Sequence, residues 1–137
     1  MQQVQNTLFL IKPDLVRKQC YGDVIQRVLS HPNLNIRCLK TVNLTEQTLD
    51  KLYQDHVAKS FYSSVKDYML SGPCIVCWVV GHNSVQELSD LCGATDPLQA
   101  HPRSIRSVFG ASKESNGCHK SDSEKNGIRE LKIFFDL

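Results

Sequence analysis

One stretch of this sequence concentrates groups that could do chemistry: Asn116-Gly-Cys-His119-Lys-Ser121-Asp122-Ser123. It holds an imidazole, two hydroxyls, a carboxylate and a carboxamide, and shows no apolar periodicity. A segment of this makeup cannot build core, so it is either solvated surface or a loop that carries function. A neutral imidazole is a competent nucleophile and proton carrier, because its pKa lies close to neutrality. Taken alone, a histidine beside serines reads as surface. It becomes a site only if other parts of the chain bring groups that bind a ligand's charge. Lys12, at the end of an apolar run closed by Pro13, is one candidate, since a compact ammonium at a strand end can hold phosphate.

The elements that must position these groups follow from the hydrophobic pattern. Thr7–Ile11 is an apolar run that reads as a central strand buried on both faces and stopped by Pro13, which has no N–H for a ladder. Val24, Ile25, Val28 and Leu29 form the stripe of an amphipathic helix over 22–29. Leu34–Asn43 reads as a strand with Leu34, Ile36 and Cys38 on one face. Thr45 resembles an N-cap, with Thr48 at the capping-box position of a helix reaching about His56. A short helix is expected over Ser63–Leu70, with Val65, Tyr68 and Met69 inward, ended by Ser71-Gly72-Pro73. A strand over Cys74–Val80, a helix over Ser84–Leu91 and a long irregular stretch from Gly93 to Asn116 come next. Within that stretch Ser104–Phe109 can form a short helix presenting Arg106, and a loop of such length is usually functional. Ser123–Leu131 then reads as a helix carrying Glu130, and Lys132–Phe135 as a last strand.

With its insertions removed this order is βαββαβ-like, an α/β (α+β) ferredoxin-like arrangement. The expected architecture is a four-stranded antiparallel sheet with helices packed on one face. At 137 residues the chain suits one domain, 1–137. A net charge of +2 gives no reason to expect nucleic acid or an acidic membrane as partner. No apolar run approaches the roughly 20 residues that span a bilayer, and the start lacks a secretory pattern. The expectation is therefore an intracellular, cytoplasmic protein with reduced thiols. Cys74 and Cys77 have the spacing of a zinc knuckle, yet within a strand they point to opposite faces and cannot share one metal. A zinc-stabilised domain using Cys74, Cys77, Cys92 and Cys118 is accordingly disfavoured. His31, His56, His82 and His101 carry no expected chemistry, and Trp78 reads as core.

Lys12-Pro-Asp, Ser71-Gly-Pro, Thr95-Asp-Pro, Ser104-Ile-Arg106 and Asn116-x-x-His119-x-Ser121-Asp-Ser123 occur in one fixed order. That series, running from about Thr7 to Phe135, resembles the nucleoside diphosphate kinase family. The resemblance implies ping-pong transfer of the γ-phosphoryl of a nucleoside triphosphate such as ATP to a nucleoside diphosphate, through a phosphohistidine on His119. It implies further that Glu130 orients the imidazole, that Ser121 bonds to Glu130, and that Tyr53 stands near the histidine. Lys12, Thr95 and Arg106 would hold phosphates, with Mg²⁺ carried on the nucleotide and no protein metal site. Phe61 would stack on the base, and Asn116 with Lys12 would hold the ribose. Stacking alone implies weak discrimination among bases. A homo-oligomer is also implied.

Four departures from the family pattern stand out. Ser89 replaces a second phosphate-contacting arginine, and Ser112 replaces an apolar residue expected on the other face of the base. Ser107-Val108 stands where Gly-Asp usually follows the arginine. Lys120 replaces a small residue after the histidine; it adds strain if its φ must be positive, or its charge partly replaces the missing arginine. These departures define the alternative reading, a catalytically weak or inactive kinase-like module for nucleotide binding or protein interaction.

Overall fold

A computed structural model describes residues 3–137 of the chain. The elements are β1 (Val4–Ile11), α1 (Pro13–Arg17), α2 (Tyr21–Leu29), β2 (Asn35–Val42), α3 (Glu46–Leu52), α4 (Tyr62–Met69), β3 (Cys74–His82), α5 (Ser84–Cys92), α6 (Ile105–Phe109), β4 (Cys118–Lys120) and α7 (Glu124–Phe134). The four strands form one antiparallel sheet in the order β2-β3-β1-β4. β1 is central, and Leu8 through Ile11 are fully buried, as a strand covered on both faces requires.

Helices cover both faces of the sheet rather than one. Phe9, Ile11, Ile75, Cys77 and Val79 pack with α1, α2, α5 and α6 on one side. Leu8, Leu10, Cys74 and Val76 pack with α3, α4 and α7 on the other. Cys74 and Cys77 thus sit on opposite sides of the sheet.

The last strand is also not where the sequence suggests. Residues 132–134 continue α7, whose buried positions Gly127, Glu130, Leu131 and Phe134 keep helical spacing. The fourth strand is the three-residue β4, inside the polar stretch read as a loop, paired with Phe9–Ile11 of β1. Along β2, an irregularity between Ile36 and Cys38 breaks the expected common face and leaves Cys38 exposed. α3 is shorter than expected, ending at Leu52, although its Thr45–Thr48 capping box is present. α4 buries Tyr62 and Met69, while Val65 and Tyr68 are half-buried.

α7 lies very close to β1. A Cβ on Gly127 would come within 2.9 Å of the Asn6 carbonyl oxygen and 3.1 Å of Thr7 Cα. Only glycine fits that approach without a shift, and the approach brings Glu130 to the strand bearing His119.

Candidate active site

The register of β4 decides where the histidine points. His119 pairs with Leu10, whose side chain lies on the α3–α4–α7 side of the sheet. Side chains alternate along a strand, so His119 faces α7, while Cys118 and Lys120 lie on the opposite side with Ile11 and Phe9. Beneath it, Glu130 is 4% exposed, and its Oε1 stands 2.8 Å from His119 Nε2. A carboxylate only accepts, so Nε2 carries the hydrogen and Nδ1 keeps the lone pair. Ser121 Oγ donates to the same Oε1 at 2.8 Å, and Arg129 reaches Oε2 at 3.4 Å. The imidazole is therefore held in one tautomer by a buried carboxylate with its own partners. Tyr53 meets the ring edge-on, with centroids 5.4 Å apart. Burial pushes the Tyr53 phenol far above its ordinary range, so it stays protonated.

Lys12 and Arg106, both buried, line the same cleft. The Lys12 N–H bonds to Gly117 O at 2.9 Å, and its ammonium donates to Asn116 Oδ1 at 2.7 Å and to Glu114 O at 3.3 Å. Gly117 has φ +91°, and a Cβ there would meet Leu15 Cδ1 at 2.9 Å. Burial, with Arg106 nearby, lowers the Lys12 pKa to about 8. Arg106 is carried by α6, whose first turn is capped by Ser104 Oγ accepting from Ser107 N at 3.2 Å. Its guanidinium donates to Gly93 O at 2.9 Å and Cys118 O at 3.1 Å, which fixes it beside the histidine strand. Asn116 Nδ2 bonds to Thr95 O at 3.0 Å and so ties the Thr95 turn to the Lys12 cluster.

Two cavities open on this arrangement. One of about 240 Å³ is lined by Tyr53, His56, Thr95, Arg106, His119, Lys120, Asp122, Arg129 and Glu130, among others. The other, about 150 Å³, is lined by Lys12, Phe61, Val65, Lys113, Glu114 and Asn116, and shares Tyr53, His56, Thr95 and Arg106 with the first. They are two arms of one cleft. One arm holds a nucleophilic imidazole beside fixed cations; the other has an exposed aromatic, Phe61, on its wall.

The site residues implied by the resemblance come to this cleft: Lys12, Tyr53, Phe61, Thr95, Arg106, Asn116 and His119 line it, Glu130 borders it beneath the imidazole, and Ser121 bonds to Glu130. Several others went unforeseen. His56, expected to do nothing, lies 5.9 Å from the Tyr53 ring and 5.8 Å from that of Phe61, bridging the two arms. Its spacing of three from Tyr53 at the end of a helix was the available signal. Lys113 and Glu114, not Ser112, border the second arm. Lys120 is not among the positive-φ residues, so its backbone is unstrained within β4. Ser89 borders a separate shallow cavity with Asp90, Gly93 and His101.

Fold and cleft together define a class: α+β proteins with a carboxylate-oriented histidine set in a cleft beside buried cationic side chains. The chain belongs to the nucleoside diphosphate kinase family, whose sequence profile it matches over residues 5–137. It is 40% identical over 132 residues to the nucleoside diphosphate kinase of Metallosphaera sedula, covering 96% of this chain and 93% of that one. It is 40% identical over 131 residues to that of Streptomyces avermitilis, covering 96% of each. The crystal structure of the Aquifex aeolicus enzyme superposes with a TM-score of 0.94 at 28% identity, covering 98% of this chain and 96% of that one.

Proposed function

We propose that this protein is a working nucleoside diphosphate kinase, and that His119 carries the phosphoryl group between two nucleotides. The observation that carries the reading is the 2.8 Å contact of His119 Nε2 with buried Glu130, which leaves Nδ1 as the free nucleophilic nitrogen. Nδ1 attacks the γ-phosphorus of a nucleoside triphosphate, an N–P bond forms, the β–γ bridging P–O bond breaks, and the nucleoside diphosphate leaves. The ring gains positive character as the N–P bond forms, and the Glu130 carboxylate stabilises it through Nε2–H. A second diphosphate attacks the phosphohistidine and reverses each step.

Phosphoryl transfer depends chiefly on positioning and charge, and Lys12 and Arg106, both pre-bonded, supply fixed positive groups for it. Lys12 and Asn116 would hold the ribose, with Phe61 under the base and Thr95 at the phosphates. Mg²⁺ would arrive on the nucleotide and neutralise phosphate charge. A homo-oligomer belongs to the same reading, supported by the unpaired outer edge of β2 with its 48% exposed Leu39. So does a cytoplasmic setting, supported by six free cysteines. Against the alternative of an inactive module, Lys120 brings no strain and Ser112 stands outside the cleft.

The test is incubation with γ-labelled ATP, an alkaline quench and detection of acid-labile phosphohistidine that added diphosphate removes. His119→Ala should take no label. Wild type that binds nucleotide yet takes no label would overturn the kinase reading.

A further inference from the structure

Resting on that nucleotide reading, we propose that Glu114 reads the edge of the base, so that this enzyme prefers guanine nucleotides and disfavours uracil and thymine nucleotides. The second arm of the cleft is a slot with Phe61 and Val65 on one wall and Lys113 and Glu114 on the other. Lys12 and Asn116 lie at its inner end, at the same cleft as His119. A nucleotide with its phosphates at His119 and its sugar at Lys12 has its base between those walls.

Stacking on Phe61 cannot tell one base from another, because every base has a π-face. Discrimination must come from groups at the ring edge, and the slot offers two charged ones. Glu114 is fixed at both ends: its carbonyl accepts from Lys12 Nζ at 3.3 Å, and its carboxylate Oε2 accepts from Ser64 Oγ on α4 at 2.7 Å. These bonds tie the 111–116 segment to α4 across the slot. They also hold the carboxylate in place, whereas a free glutamate would sweep through solvent. Among the described residues Oε1 has no hydrogen-bond partner, and Glu114 borders the cavity.

A carboxylate accepts N–H and repels carbonyl oxygen. Guanine presents adjacent N1–H and N2–H donors, a pair that suits two carboxylate oxygens, with O6 beside them for a cation such as Lys113. Adenine and cytosine each offer one exocyclic amino group. Uracil and thymine offer a single N3–H flanked by two carbonyls, the arrangement a carboxylate tolerates least. A site with a fixed polar partner penalises ligands that leave it unpaired.

The experiment phosphorylates the full chain with labelled ATP and chases with GDP, ADP, CDP or UDP below saturation, giving kcat/KM for each. GDP should exceed UDP by about tenfold, the scale of one charge-assisted hydrogen bond in a partly exposed slot. Glu114→Ala should collapse the GDP:UDP ratio toward one, and Ser64→Ala, which unties the carboxylate, should lower it. A role in loop structure alone would move all four diphosphates together and leave the ratio intact. A flat profile in wild type, or a ratio that survives Glu114→Ala, overturns the assignment while leaving the kinase reading standing. Absence of label from every triphosphate overturns both.

Discussion

Replacing Glu130 separates the two things its carboxylate does for His119. Oε1 receives two hydrogen bonds, from His119 Nε2 and Ser121 Oγ, each 2.8 Å, in a side chain that is 4% exposed. In Glu130→Gln the amide oxygen can still accept both, so the tautomer with Nδ1 free survives and only the charge is lost. A charge-assisted bond exceeds a neutral one by about 1–2 kcal/mol, so phosphohistidine formation should slow roughly 5- to 30-fold. Glu130→Ala removes the acceptor altogether. It leaves the His119 N–H and the buried Ser121 hydroxyl hydrogen without an acceptor and frees the ring to take the other tautomer. Counting one to two unmade buried bonds gives about 2–4 kcal/mol, roughly a 30- to 1,000-fold loss. Rapid-quench measurement of labelled histidine in a single turnover gives both rates directly, and circular dichroism verifies the fold. Wild-type labelling in the alanine variant, or a glutamine variant slower than the alanine one, would refute the orienting role.

Three further outcomes are expected. Lys12, with its pKa lowered to about 8 from 10.5, releases its proton in the folded chain before the unfolded one does. Between pH 8 and 10.5 the unfolded state then binds more protons, so this group's contribution to stability rises with pH. The charge proposed to bind phosphate is lost over the same range, so kcat/KM should fall above about pH 8 as resistance to urea rises, and Lys12→Gln should flatten both trends. Lys120 borders the His119 cavity, yet its side chain leaves β4 on the face opposite the imidazole. Lys120→Ala should therefore change kcat/KM by no more than about twofold, and a loss of about tenfold or more would show that its ammonium reaches the phosphates. Gly127→Ala forces a methyl group against the Asn6 carbonyl and Thr7, and should destabilise the fold by about 1–3 kcal/mol, read as a lowered Tm.

How much of this was legible in the sequence depended on the length of each signal. Long runs such as Thr7–Ile11 and Cys74–Val80 identified their strands, because an apolar, β-branched run between turn residues is too short for a buried helix and too apolar for a loop. A three-residue strand such as β4 carries no period, so the strand holding the histidine read as loop. The end of α7 was misread because Ile133-Phe134-Phe135 favours a strand locally, while the tertiary contacts of Leu131 and Phe134 with Leu8 and Leu10 hold it helical. Coverage of both sheet faces was implicit in a β1 buried on both sides, which one layer of helices cannot supply. The site was legible through residue types in order. Its unforeseen members, His56, Lys113 and Glu114, entered through spatial neighbours that the spacing of the chain does not express.

The hydrogen bond from Lys12 to Asn116 joins residues 104 apart, and His119 and Glu130 lie further along still. Closing so long a loop precedes any reward from the contacts it makes, which makes such contacts late events in folding. A growing chain displays Lys12 long before its partners Glu114, Asn116 and Gly117 have been made. His119 on β4 and its carboxylate partner Glu130 on α7 are thus made after Lys12, Phe61, Thr95, Arg106 and Asn116, and they join a cleft whose other wall already exists in the chain.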